Sequence, residues 1–541
     1  MHKFKHRDRL IISTLSPIHV GSGMDYEPTH YVMDDGVMYT FDPVAALSGD
    51  RDGRDQLLAI VEQESGVVQK VQKFFYERRD LLIPDHQRRL PVGNGVQDFY
   101  VKRIGQTMPG NDGNRLFIER MTHGGVDDRP YLPGSSLKGS IRTALLDAVH
   151  GNQPLSAPKD AENFRNSWKR LGPLPQSLQG HLPTRFEQDP MRLLQIGDAM
   201  PGAGREVCEI LFAVNRKPSG VAGRGPYQIL ESVGPLELEV MVSDWSFQDL
   251  EQVKNERDKI PARSWKPSEV MERCNRYFGQ ILLRELDGLA AALDPDWLQG
   301  MQQSMAGGNL YRLLHSGHAF LLRVGRHSGA ESVTLNGVRH IKILQGKDKK
   351  PVWGSKATTV WLASPSSDQM NRLLPFGWLL IEVDHPGRRP LSESVPELVQ
   401  MAERFRSDRN RPMQASDQKL LELRTQRQAR QEKEEQRRAA EQARLEKQAA
   451  DEARLVALSP NQRRIEELRQ MIEKSSPQSF ANKLWNETKK LVDDARSSAW
   501  SHEEKNKLIE LCERELWKKI NKGLDEKKKK ALLDPLRETL S

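Results

Sequence analysis

The sequence predicts an α+β chain: two mixed β/α units, then a charged helical spacer, then a small helical bundle. Three observations carry this reading. Across the first 390 residues β-rich runs, one pair of them joined by Asp35-Gly36, alternate with stretches of helical periodicity. From Thr425 to Arg444 no large aliphatic or aromatic residue occurs. Beyond Ser459 apolar residues return at helical spacing behind two capping boxes. A chain of 541 residues exceeds one compact core, and these changes place expected boundaries at 1–194, 195–390, 391–458 and 459–541.

The elements follow in order. Leu10 to Leu15 reads as a buried strand that Ser16-Pro17 interrupts, and Gly21-Ser22-Gly23 makes a flexible loop. Residues 29–33 and 37–41 flank Asp34-Asp35-Gly36, a hairpin signal because a type I′ turn needs positive φ at both central positions. Asp42-Pro43 supplies an N-cap and a first-turn proline for a short helix. Residues 55–80 carry a helical stripe, 85–130 are irregular, and a helix follows Pro133-Gly134-Ser135-Ser136 from Leu137 to about Val149, with Ser135 or Ser136 as its cap. Residues 150–190 are loop-rich.

A second unit opens near Gln195, with an alternating strand at 236–242, a long helix over 268–293 and a strand at 319–324 that runs into Gly325-Arg326-His327-Ser328-Gly329. Residues 358–362 and 378–383 read as a final strand pair. Two such units suggest paired ferredoxin-like, RRM-type domains.

The spacer is helix-forming but lacks the apolar a and d positions of a coiled coil, so it reads as a solvated, charge-stabilised single helix. In the terminal bundle, Ser459-Pro460-Asn461-Gln462 and Ser501-His502-Glu503-Glu504 are capping boxes, Ser476-Pro477 starts a helix through Phe480, Leu484 and Leu491, and Lys527 to Lys530 form a basic edge.

Hydrophobic residues make up 37% and charged residues 29%, and no apolar run approaches a membrane span. The basic N-terminus lacks a signal-peptide apolar region. Cys208, Cys274 and Cys512 form neither a disulfide framework nor a metal knuckle, which favours a reducing, cytoplasmic setting. A formal charge of +8 favours polyanionic partners. No phosphate-binding loop, HExxH pair or Cys/His cluster occurs, so neither metal nor cofactor is expected.

Three segments carry candidate chemistry. The start of the helix after Pro133-Gly134 would present free amides to an anion, with Ser135, Ser136, Lys138 and Arg142 near one face and Gly139 allowing close backbone approach. The alternative is an ordinary capped helix with two exposed cations. His19, Gly21, Ser22 and Gly23 end a strand in a backbone-exposing loop that is otherwise a plain turn. Arg323, Gly325, Arg326, His327 and Gly329 combine glycines with cations, or form a mobile loop with solvated charges.

Together, Leu15-Ser16-Pro17-Ile18-His19-Val20-Gly21-Ser22-Gly23, the Pro133–Arg142 segment and the loop Arg323-Val324-Gly325-Arg326-His327-Ser328-Gly329 resemble the motifs of the CRISPR RAMP superfamily. Asp189-Pro190-Met191-Arg192 with Gly197-Asp198, and Pro375-Phe376-Gly377-Trp378, add to the likeness. The combination is most similar to the RAMP subunit that caps the backbone of type III-A (Csm) effector complexes, over roughly residues 8–390. The resemblance implies two ferredoxin-like RAMP domains and a non-catalytic subunit that grips CRISPR RNA (crRNA) toward its 3′ end. It also implies contact with other RAMP backbone subunits, a contribution to crRNA maturation and interference, and room for a trimming nuclease as a partner. The glycine-rich loop has fewer glycines than the fullest RAMP pattern, and 417–541 extends past the family's usual end.

Two other functions compete. Some RAMP-fold endoribonucleases use a histidine as general acid or base, so His19, with Tyr26, His30 or Lys138, is a candidate for crRNA processing. A protein–protein adaptor without direct RNA binding is the third reading. Asp25 does not match the aspartate loop of target-cutting RAMP subunits, and the hairpin explains Asp34-Asp35-Gly36. The tail reads as an interaction module or as an appendage folded back on the body.

Overall fold

The computed structural model describes residues 6–63, 66–106, 116–125, 127–151, 189–202, 206–217, 227–250, 263–337, 339, 341–343, 345, 350–479 and 482–541. The basic residues 1–5, most of the loop-rich stretch at 150–190 and Phe480 lie outside the described residues. Two compact units divide the chain, 1–425 and 426–541.

The first unit is built on two six-stranded sheets. In one, the opening strand His6–Thr14 lies between Met241–Phe247 and Trp378–Val383, antiparallel to both, and Ala319–Arg323 pairs with the outer side of Trp378–Val383. The helices Gly134–His150 and Pro267–Gly288 pack against Ala319–Arg323. The other sheet runs from Leu374–Pro375 through Val360–Ser364, Cys208–Arg216, Tyr227–Val233 and Ile118–Met121 to Gly21–Tyr26. One continuous core joins the two sheets and includes Leu10, Phe212, Trp245, Phe278 and Trp378.

Each sheet therefore draws strands from both sides of residue 194. Among the described residues the opening strand pairs only with strands beyond 240, and its Leu10 and Ile12 are buried there. The strands near 360 and 380 do not pair with each other: Val360–Ser364 joins the second sheet and Trp378–Val383 the first. The alternation at 236–242 is not a strand either. Leu236 and Glu239 both have φ of 51°, two turns, and the strand begins at Met241. The expected irregular region from 85 holds a strand, Arg88–Pro91, and a helix, Asn94–Arg103. The Asp-Gly hairpin forms as expected, Asp35 and Gly36 taking φ of 48° and 79° between Tyr31–Asp34 and Val37–Thr40.

A helix of 62 residues, Pro396–Ala457, carries the chain from the first unit into the second. Its first part is packed, not solvated: Leu398, Met401, Ala402 and Leu420 are buried, and Arg409 pairs with Glu237 at 2.5 Å. From Arg424 to Arg454 its residues are exposed, as a stretch without a seam must be.

The second unit has its own core, formed by Ile465, Leu468, Leu484, Trp485, Leu508, Leu516 and Leu533 among others. Both capping boxes form, at Ser459 with Gln462 and at Ser501 with Glu504. The helix expected from Ser476-Pro477 starts later, at Lys483 with Asn482 as cap, after the two-residue strand Gln478–Ser479.

Candidate nucleic-acid interface

The fold draws the three sequence-predicted segments into one place. The amide of Arg326 donates to the carbonyl of His19 at 2.8 Å, and Gly377 donates to Pro17 at 2.9 Å. The hydroxyl of Ser140, on the Gly134–His150 helix, donates to the carbonyl of Arg323 at 3.0 Å. The Gly325 loop thus bridges the strand-end segment and the helix.

The glycines explain how the segments approach so closely. A Cβ on Gly325, where φ is +83°, would sit 2.3 Å from the carbonyl oxygen of His19. One on Gly134 would meet the carbonyl oxygen of Ile196 at 2.3 Å. Gly139, expected to admit a neighbouring backbone, faces open space instead, and Gly134 does that work one turn earlier.

The helix start also differs from expectation. The helix begins at Gly134 behind Pro133, with no side-chain cap from Ser135 or Ser136. The carboxylate of Asp198 accepts from the amide of Gly134 at 2.7 Å, so an anionic group of the chain itself occupies part of the helix start. Ser135 and Gly139 are exposed, and Ser136, Lys138 and Arg142 are partly so. Burial holds the Lys138 ammonium below its ordinary pKa. Arg142 pairs with Asp189 at 2.5 Å.

The two arginines of the loop have separate fates. Arg323 is buried, pairs with Glu285 at 2.8 Å, donates to the Phe376 carbonyl at 2.9 Å and lies 4.9 Å from the Trp378 ring centre. It is locked inside the unit and offers no charge to a ligand. Arg326 is 47% exposed and pairs with Glu119. His327 takes φ of 65° and stacks on Trp361 with ring centres 4.6 Å apart. Burial, with the charge of Arg326, pushes its imidazole down to about 3, so it is neutral at pH 7. Gly329 completes the loop with φ of +81°.

His19 is fully buried. Its Nδ1 lies 2.6 Å from the carbonyl of Glu231, which fixes the proton on Nδ1 and leaves Nε2 an acceptor. Nε2 has no hydrogen-bond partner among the described residues and lies 3.9 Å from a carboxylate oxygen of Glu119. Burial keeps the imidazole below its ordinary pKa. Beside it, Gly21, Ser22 and Gly23 are exposed on the edge strand Gly21–Tyr26. Glu119 and Trp361 escaped sequence reasoning because nothing local distinguishes them; Asp198 stood in the Gly197-Asp198 pair without its role being evident.

A buried network under this edge was also missed. Arg88 makes two bonds of 2.9 Å to Glu206, one of 2.5 Å to the fully buried Glu231, and one of 2.9 Å to the Tyr26 hydroxyl. Arg88, Arg89, Arg120, Arg129 and Arg409 line a cavity of about 1100 Å³, but Asp25, Glu27, Asp127, Asp128 and Glu206 line it too, so it carries no excess positive charge. Among the described residues no cluster of His, Cys, Asp and Glu could hold a metal ion, and no helix is long and apolar enough to cross a membrane.

The family model for the RAMP superfamily matches residues 11–264, which hold both the His19 segment and the Gly134 helix. This part of the chain belongs to the RAMP superfamily. The chain is 29% identical over 134 residues to "CRISPR system Cms protein Csm5" of Methanocaldococcus jannaschii, a match covering 24% of this chain. It spans 28% of that relative's length. The crystal structure of Csm5 from T. onnurineus aligns with a TM-score of 0.40 at 17% identity, over 69% of this chain and 99% of that one. A chain of a Csm–crRNA–target RNA ternary complex from a type III-A CRISPR-Cas system aligns with a TM-score of 0.38 at 16% identity, over 70% of this chain and 100% of that one.

Proposed function

We propose that this RAMP protein is a non-catalytic, crRNA-binding subunit of a type III-A CRISPR effector complex, capping its backbone near the crRNA 3′ end. The observation that carries the reading is the convergence of the three motif segments, tied by the Arg326–His19 and Ser140–Arg323 hydrogen bonds. They leave exposed backbone at Gly21 to Gly23 beside the half-exposed Arg326, with Lys138 on the adjoining helix. Such a surface suits a sugar–phosphate chain, read through backbone and not through bases. The antiparallel sheet backed by two helices supports the RRM-type reading of the domains, and a cytoplasmic setting goes with it.

The binding role is assigned to Gly21, Ser22, Gly23, Ser135, Ser136, Lys138, Arg142 and Arg326. Arg142 would exchange Asp189 for phosphate. His19, Gly325, His327 and Gly329 shape the loop from beneath. The burial of His19 speaks against a general acid or base there, since a catalytic group must reach the proton it moves.

Co-purification of the tagged protein from a host carrying its neighbouring genes, with sequencing of bound RNA, tests the role. Recovery of crRNAs with other RAMP subunits is expected. Recovery of those subunits without RNA contact would return the adaptor reading. In vitro, Lys138→Ala with Arg326→Ala should flatten the dependence of log K on log salt by roughly 1.4 on single-stranded RNA. An unchanged slope removes these two cations from the RNA path.

A further inference from the structure

We propose that the terminal helical unit is a second RNA-backbone-binding module, with a lysine face on the helices Lys483–Ala495 and Glu526–Arg537. The two helices pack against each other. Leu484, Trp485, Leu491, Leu532, Leu533 and Leu536 turn inward to the unit's core. That inward choice leaves Lys483, Lys489 and Lys490 exposed on one helix, where Glu487 and Asp493 line the same surface, and Lys527 and Lys530 exposed on the other.

The neighbouring charges make this more than a solvated edge. Lys490 pairs with Glu487 at 3.2 Å, Lys528 lies 3.8 Å from Asp525, and Lys529 pairs with Glu526 at 2.7 Å. Lys483, Lys489, Lys527 and Lys530 have no carboxylate partner among the described residues. Some other cations of the unit are matched, as Arg464 is with Asp494 and Arg514 with Glu510. Unmatched ammonium groups on one small unit repel one another and do nothing for its core. Condensing a phosphate chain on them releases counterions and removes that repulsion.

An aromatic side chain lies next to one lysine of this helix pair, Lys529. Trp517 is half-buried, with the ammonium of Lys529 6.0 Å from its ring centre and Trp485 6.4 Å away. Cations interleaved with a partly exposed indole suit single-stranded RNA, whose bases can stack where a duplex keeps its bases inside. The ammonium is a point charge without the planar fork of arginine, so the contact would follow the backbone without reading sequence.

The test uses the full chain. Lys483, Lys489, Lys527 and Lys530 are all changed to Gln, which leaves every buried residue in place, and circular dichroism checks that the helices persist. On single-stranded RNA the salt slope should fall by roughly 2.8, four cations at about 0.7 each. Cross-linking of the unaltered chain to 4-thiouridine-substituted RNA, followed by peptide mass spectrometry, should place adducts in peptides containing 483–530 as well as in the first unit. Adducts confined to 1–425 with an unchanged slope overturn the proposal, whatever becomes of the first unit's own RNA contacts. Double-stranded DNA bound as tightly as single-stranded RNA, with equal loss in the variant, overturns the assignment to RNA. Loss of a co-purified acidic protein in the variant, with RNA affinity intact, overturns it in favour of a protein docking face.

Discussion

The two units handle charge in opposite ways. The first has exposed pairs such as Arg7 with Asp244 but also encloses charge: Arg88 with Glu231, Arg323 with Glu285 and Arg409 with Glu237 pair where side chains are 0–17% exposed. The second keeps ion pairs on its surface, where Arg464, Lys490, Lys507 and Arg514 meet their carboxylates in water. A buried pair is costly to form but far costlier to half-remove, because the remaining charge has no solvent. A surface pair contributes little either way. The first unit's buried charges therefore act as fixed posts under loops, while the second unit's paired charges stay in water.

The largest effect expected of this contrast is at Arg88. Burial pushes the Glu231 carboxyl up, yet the hydrogen bond to His123 and the charge of Arg88 outweigh burial and hold it down at about 2. Arg88→Met should strand that carboxylate and lower the first unit's stability by about 3–5 kcal/mol, read in urea as an earlier first transition. Adding Glu231→Gln should recover part of the loss. A single variant costing under ~1 kcal/mol would mean that Tyr26, His123 and the Met121 amide satisfy the carboxylate without Arg88, and that the posts are not fixed.

The motif glycines sharpen the contrast from within one unit. Gly325→Ala should cost about 2 kcal/mol, since it combines positive φ with a Cβ 2.3 Å from the His19 carbonyl. Gly139→Ala should stabilise the helix by about 0.5–1 kcal/mol, because nothing lies within 4 Å of that position. Thermal melts of both variants decide this. Equal effects would mean that the Gly325 loop yields freely.

These pairs also mark what was legible in the sequence. Local chemistry was readable: the Asp35-Gly36 hairpin, the Asp42 cap, both capping boxes and the seamless charged helix all depend on neighbours within a few residues. The three motif segments were readable through their glycines and their resemblance to RAMP proteins. Strand partnership was not, because His6–Thr14 finds its neighbours more than 200 residues away and no local pattern encodes that choice. The fate of a cation was equally hidden: Arg323 and Arg326 stand three residues apart, and Glu285, Phe376 and Trp378, all distant in sequence, hold the first inside. The stretch 236–242 misled because Leu236 to Val240 alternate in polarity while Leu236 and Glu239 sit in turns, not on a pleated surface.

Acid should separate the units next. An unfolded histidine near 6.5 and a folded His327 near 3 mean that the unfolded chain takes up this proton first as pH falls. Its contribution is present above about 6.5 and lost toward 3, at about 1.4 kcal/mol per pH unit. Glu209 and Glu382, raised by burial to about 7, run the other way, favouring the folded state as they protonate below 7. Comparing the parent with His327→Gln isolates the histidine: the variant's first transition should lose less stability between pH 6 and 4. Parallel pH profiles would mean that the stacked imidazole is protonated without cost.

The smallest effect belongs to the second unit, and it tests whether that unit has any internal posts of its own. Glu504 closes the Ser501 capping box by accepting from the Ser501 amide at 2.9 Å, while Ser459, the cap of another helix, donates to the same carboxylate. These hydrogen bonds, that from Ser459 foremost, hold the Glu504 carboxyl down at about 2, so its contribution is present above the ordinary carboxylate range and fades as pH falls toward 2. One side chain thereby couples two helix starts. Ser501→Ala should cost about 1 kcal/mol in the second transition alone, the ordinary worth of a cap. Ser459→Ala with Glu504→Ala should cost less than the sum of the singles, because each already removes the shared bond. Strict additivity would make the two caps independent, leaving the terminal unit held by its apolar core and its surface charges wholly available to what binds there.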